Sequence, residues 1–199
     1  MFNGLRTSIR LLVLALVPLL ATAGPAKAHP HVWVEAGVEL IMKDDKVTAL
    51  DITWLFDDFF SELARWDFDL DGSGSLSQQE LDALVGVSAT TLSESSFFTH
   101  LRIGEERPPV RLVRDFYIED DGIQLLYRFR VVLPEPVDPA QTDFSVGFFD
   151  EGYYVDVDMR PEDMTIPSGC QFIPREALDQ PLYFGLFFPT YYHLVCASA

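Results

Sequence analysis

Twelve consecutive residues carry the clearest chemistry in this chain: Asp69-Leu70-Asp71-Gly72-Ser73-Gly74-Ser75-Leu76-Ser77-Gln78-Gln79-Glu80. Calcium is a hard cation that takes about 6–8 oxygen ligands, and a helix-flanked loop of this length offers them from positions 1, 3, 5, 7, 9 and 12. In that register the ligands are Asp69, Asp71, Ser73, Ser75 (through its carbonyl), Ser77 (through a water) and Glu80 (through both carboxylate oxygens). Gly74 falls where the sharp turn needs a residue without a Cβ. Leu76, two places on, is the apolar residue that packs the loop onto its helices. A register starting at Asp67 puts Gly74 in that apolar place and Gln78 at the bidentate one, so the Asp69 register is preferred. Ser77-x-x-Glu80 also reads as a helix capping box, which is compatible with a cation. Three carboxylates, two serines and no second loop predict a site of modest affinity, structural rather than signalling.

The other ligand-bearing group is His29-Pro30-His31. Residues 1–28 read as a cleaved secretion signal: Arg6 and Arg10 precede an apolar run at 11–21, and Ala26-Lys27-Ala28 fits a small-x-small cleavage site. The run is short of the ~20 apolar residues that span a bilayer, so no stable membrane insertion is expected after cleavage. Cleavage makes His29 the N-terminus and places the protein in the periplasm. An α-amine and two imidazoles then suit Ni²⁺, Co²⁺, Zn²⁺ or Cu²⁺. Pro30 lacks an amide N–H, which disfavours a square-planar site built on deprotonated amides. Glu35 shares a strand face with His31 but lies ~13 Å along it, so a further ligand must come from another strand. His100 and His193 are the remaining histidines. The competing reading is a tolerated residue pair beside a cleavage site.

These residues need elements to position them. Val32, Val34, Ala36, Val38 and Leu40 alternate with polar residues, a polar turn follows at Lys43-Asp44-Asp45-Lys46, and Leu50, Ile52, Trp54 and Phe56 alternate again. That period of two predicts a β-hairpin. Phe56, Phe59, Phe60 and Leu63 then recur at helical spacing on one face, and Leu81, Leu84 and Val85 follow Ser77 in a second helix. Strands are expected again over 97–103, 110–118, 123–133, 144–149 and 153–159, with an aromatic-rich strand over 182–195 closed by Cys196. The fold class is therefore α+β: a mainly antiparallel, sandwich-like β domain over 29–199, with an EF-hand-like helix-loop-helix inserted at about 56–92.

Composition narrows the partners. The formal charge is −17 over 199 residues, and losing Arg6, Arg10 and Lys27 with the leader deepens it. Such a surface argues against nucleic acid and anionic membranes and suits metal ions. Cys170 and Cys196 are the two cysteines, and an oxidising compartment favours their pairing. No Gly-x-Ser-x-Gly elbow, phosphate loop or His-Glu-x-x-His zinc motif is present, so an enzyme is not expected. A copper-dependent oxidative enzyme using the N-terminal histidine is the low-ranked alternative.

Several segments taken in order resemble the DUF1007 family: His29-Pro30-His31-Val32-Trp33-Val34, Trp54-Leu55-Phe56-Asp57-Asp58-Phe59-Phe60-Ser61, the Asp-rich loop, Phe97-Phe98-Thr99, and Phe149-Asp150-Glu151-Gly152-Tyr153-Tyr154. Members are described as exported, periplasmic components of uncharacterised ABC-type transport systems. The resemblance implies membrane transporter components as partners and a transition-metal context for His29 and His31. The expected function is a periplasmic metal-ion-binding accessory protein of such a system, with one calcium loop. The alternative is a calcium-stabilised interaction module with no solute of its own.

Overall fold

The computed structural model describes residues 30–196; the expected secretion signal at 1–28 and His29 lie outside them. The chain opens with the expected hairpin. β1 (Val32–Lys43) and β2 (Lys46–Phe56) pair antiparallel from Val34 opposite Phe56 to Lys43 opposite Lys46. Asp44 and Asp45 form the turn, both at positive φ, as a two-residue type I′ turn demands. Every second residue of β1 from Val32 to Leu40 is buried, so the period of two is the core face.

Two helices follow. α1 (Asp58–Phe68) starts at Asp57, whose Oδ1 accepts the Phe60 N–H at 2.9 Å, an N-cap bond. The same carboxylate accepts the Trp33 N–H through Oδ2 at 2.8 Å, tying helix to strand. Phe60, Ala64 and Phe68 pack on the core, whereas Phe59 and Leu63 point outward at 66% and 42% exposure. The expected apolar face of α1 is thus corrected by about one residue. Fully buried Ser61 accepts the Leu125 N–H, and Arg65 pairs with Asp120 at 3.1 Å and donates to the Ile123 carbonyl. α2 (Gln78–Glu94) buries Leu84, packs Leu81 and Val85 against the core, and joins Ser88 to the Tyr127 hydroxyl at 3.1 Å.

The remaining strands complete two sheets. These are β3 (Thr99–Ile103), β4 (Val113–Asp120), β5 (Leu125–Val137), β6 (Phe144–Phe148), β7 (Val155–Thr165), β8 (Cys170–Glu176) and β9 (Thr190–Cys196). One sheet runs β4-β5-β2-β1-β7 and the other β3-β6-β9-β8. All neighbours are antiparallel except β1 and β7, which pair parallel from Val32 opposite Val155 to Glu39 opposite Thr165. The larger sheet is mixed, not antiparallel throughout. A parallel neighbour needs a long crossover, here supplied by the chain's excursion through β3 and β6. Leu101, Phe144, Val146, Phe148 and Leu194 of the smaller sheet join Val34, Trp54, Phe129 and Val131 of the larger in one buried core.

Two other expectations are corrected. No strand begins at Phe97: Ser96, Phe97 and Phe98 form a 3-10 turn with φ of 52°, 52° and 44°, and β3 starts at Thr99. Phe97 packs on Phe116 and Phe129, so its apolar character served the core, not a ladder. Likewise 182–195 is a strand only from Thr190; before it stands a 3-10 turn, Tyr183–Gly185. Cys170 and Cys196 lie opposite each other in β8 and β9 and form a disulfide, which fits an oxidising compartment. No helix among the described residues is long and apolar enough to cross a membrane.

Candidate metal centre

Loop 69–80 joins α1 to α2. It starts where α1 stops, with the Asp69 N–H donating to the Arg65 carbonyl at 2.7 Å. It ends in the first turn of α2, where Ser77 is the N-cap and Glu80 the third helical residue of a capping box. Gly72 and Gly74 stand at φ of 69° and 84°, the left-handed region that lets the loop fold back. Asp69, Asp71 and Glu80 thereby each present a carboxylate oxygen within 4.8 Å of the others. Among the described residues, this is the one group of three or more His, Cys, Asp or Glu so gathered.

Backbone N–H groups hold the carboxylates in place. Asp69 accepts from Gly74 at 2.7 Å, and the Ser73 N–H is shared between Asp69 and Asp71 at 3.0 Å each. Glu80 accepts the Leu70 N–H on Oε1 at 2.7 Å, and on Oε2 both the N–H and the hydroxyl of Ser77, at 2.8 and 2.7 Å. Hydrogen bonds to a carboxylate favour its ionised form. The Gly74 N–H foremost holds Asp69 below its usual 3.8. The Ser77 hydroxyl, then the Ser77 and Leu70 N–H groups, hold Glu80 below 4.5. Both are anionic at neutral pH.

The donor set is all oxygen, which fits calcium and not a metal that prefers nitrogen or sulfur. The Ser73 hydroxyl donates to the Ser75 carbonyl at 2.8 Å, so these two expected ligand atoms bond each other. Glu80 differs from expectation. A carboxylate oxygen has about two lone pairs. Oε2 already has two donors, so Glu80 offers one oxygen, Oε1, unless Ser77 lets go. Its side chain serves the helix cap first.

Among the described residues, no histidine belongs to a group of three or more gathered His, Cys, Asp or Glu. His31 is exposed at the start of β1, with its ring 4.8 Å from that of Tyr154. His100, on β3, stacks on Phe149 at 3.8 Å with Nε2 3.0 Å from the Phe149 carbonyl. Burial lowers its pKa despite that carbonyl and the charges of Glu151 and Asp150. His193, also lowered by burial and then by Arg175 and Arg102, lies opposite Ser145, while His100 lies opposite Gly147. Two strand spacings, roughly 10 Å, separate their backbones, and the His100 ring is taken up by Phe149.

One feature of the site region escaped the sequence pattern. A hollow of about 500 Å³ opens between the helix pair and the end of the larger sheet. Trp54, Phe56, Tyr127 and Leu84 line it from the core, and Phe59, Leu63, Val87 and Tyr154 line it while remaining exposed. The available signal was α1 itself, whose Phe59, Phe60, Leu63, Trp66 and Phe68 are too many apolar residues for one half-buried face. Segments far apart in sequence, around His31, Trp54–Phe60, Phe98 and Tyr154, meet at its wall.

The chain is 25% identical over 130 residues to an uncharacterized protein of Haemophilus influenzae, covering 64% of this chain and 61% of the relative. It is 30% identical over 91 residues to an uncharacterized 15.5 kDa protein of the trpE 3′ region of Spirochaeta aurantia, covering 46% and 64%. The matches thus span less than two thirds of either relative. The sequence profile of DUF1007, a protein family of unknown function, matches residues 14–180. The motif order, the fold and this match make one conclusion: the chain belongs to the DUF1007 family.

Proposed function

We propose that this is an exported metal-binding accessory protein in which one calcium ion clips α1 to α2 at loop 69–80, an EF-hand-like arrangement. The observation that carries the reading is the convergence of Asp69, Asp71 and Glu80 within 4.8 Å, with Gly74 at φ of 84° between them. Three like charges so close repel, and a divalent cation replaces that repulsion with attraction. Asp69 and Asp71 with their serine neighbours supply most of the oxygens, and Glu80 adds Oε1. When bound, calcium supplies charge neutralisation and a fixed helix spacing, not a reaction.

The transport context extends this reading and rests on the family resemblance. His29 and His31 would then handle nickel, cobalt, zinc or copper for an ABC-type system, with membrane transporter components as partners. A second reading, a calcium-stabilised interaction module without its own solute, is favoured by the apolar hollow beside the same helices.

Calorimetry on the processed protein tests the calcium claim. At calcium near ten times Kd the stabilisation is about 1.4 kcal/mol. For a chain of this size that raises Tm by ~3–6 °C. Glu80→Gln abolishes the rise; a Tm indifferent to both calcium and chelator sinks the claim. Equilibrium dialysis against each transition metal, compared with a His29→Ala/His31→Ala variant, separates the two readings.

A further inference from the structure

The hollow between the helix pair and the sheet has a second half with opposite chemistry. Its wall at Phe59 is shared with an adjoining hollow lined by Trp33, Glu35, Asp57, Asp58, Asp156 and Asp158. The apolar half contributes Asp67 at its rim. Among the described residues, no lysine or arginine lines either half. Arg160 reaches Glu35 at 2.9 Å, and Asp57 is occupied by the N–H groups of Phe60 and Trp33. Asp58, Asp67, Asp156 and Asp158 are left facing the two hollows. Asp156 titrates above its usual range because it is partly buried and next to Asp158, so the surface holds like charge at a cost.

The apolar half is not a shallow surface. Trp54, Phe56, Tyr127 and Leu84 are core residues, each 5% exposed or less, and they form the floor. Phe59, Leu63, Val87 and Tyr154 form an exposed apolar wall. Its volume falls within the ~300–1,000 Å³ common for ligand sites. An apolar groove between helices matches the apolar stripe of an amphipathic helix. Acidic ground beside it selects which helix: its polar face must be basic.

We propose that this double hollow is a docking groove for a basic amphipathic helix of a partner protein, whose apolar stripe lies on Phe59, Leu63 and Val87 and whose lysines or arginines meet Asp58, Asp67, Asp156 and Asp158. Acidic helices are repelled there, and so are anionic lipid surfaces. The groove exists in the fold described above, and its occupant does not depend on loop 69–80 holding calcium.

The test uses the processed protein with calcium present, so that a failure here is distinct from a failure of the calcium reading. Three labelled peptides of about 18 residues serve as probes: a Leu/Lys amphipathic helix, the same composition scrambled to destroy the stripe, and a Leu/Glu helix. The Leu/Lys helix is expected to bind one to one, with the scrambled peptide at least about tenfold weaker and the Leu/Glu helix silent. Val87→Asp, at an exposed site, weakens binding about tenfold while leaving Tm near that of the parent. Asp58→Asn with Asp67→Asn weakens it several-fold and flattens its salt dependence. Equal affinity for the scrambled peptide, no effect of Val87→Asp, or preferential uptake of uncharged decanol overturns the proposal. Self-association lost in Val87→Asp overturns it too, by naming a second copy as the occupant.

Discussion

The loop that joins the helix pair and the groove along its side are built on opposite terms. In the loop, Asp69, Asp71 and Glu80 accept from the chain's own N–H and O–H groups, and these bonds shape the loop. At the groove the core stops short, and Phe59, Leu63 and Val87 are exposed. The loop is a polar device whose strength lies in local hydrogen bonds; the groove is an apolar surface whose strength lies in area. Perturbations that touch the loop should therefore read differently from those that touch the groove.

The largest effect is expected beneath the groove. Trp54 is 1% exposed and packs on Phe56, Phe98 and Phe129. Trp54→Ala should cost ~3–5 kcal/mol in urea unfolding. If it costs no more than an exposed substitution, the groove floor is not the core. Next is Ser61→Ala, at the buried position of α1. It strips the Leu125 N–H of its acceptor at 3.0 Å. A buried donor left unmade costs ~1–3 kcal/mol. Helix α1 should then loosen from the turn before β5, visible as faster amide exchange there.

Acid should weaken the loop, whereas protonating Asp156 in the groove relieves like charge. Asp69 and Glu80 have folded pKa values below their unfolded values of 3.8 and 4.5. Their stabilisation is therefore complete above the unfolded values and is lost as pH falls through the folded ones. In chelator, stability of the parent should begin to drop below pH 4.5, and Glu80→Gln should remove part of that drop. A parent and variant with parallel acid titrations would break the link between the hydrogen bonds and the loop. The smallest effect belongs to the groove wall: Phe59→Ser should change stability by no more than about 0.5 kcal/mol, since the ring is exposed in the free protein.

The loop was legible in sequence because twelve covalently linked positions fix its geometry, and the hairpin because one face of β1 is buried. Asp57, Ser77 and Glu80 could be read as helix-start residues for the same local reason. The β1–β7 pairing could not be read: 123 residues separate Val32 from Val155, and nothing local to either strand states that they are parallel partners. β8 was missed because Pro174, Arg175 and Glu176 interrupt any strand pattern, though β9 supplies its ladder. Phe97 and Phe98 misled because aromatic residues signal burial, and burial is served as well by a left-handed turn as by a strand. On α1 the error was one of rotation. Periodicity found the helix, but with apolar residues on two faces it could not say which face turned inward, and so it hid the groove.

The parallel pair has a bearing on how the chain comes to be folded. A polypeptide is made from its N-terminus, so β1 finds β2 across a two-residue turn almost at once. Its other edge waits until β7 has been made. For most of synthesis that edge is an open row of backbone donors and acceptors beside a strongly apolar face. Such an edge invites pairing with another unfinished chain. The last strands therefore act as a closure: until residues 155–165 arrive, the sheet is open to strangers.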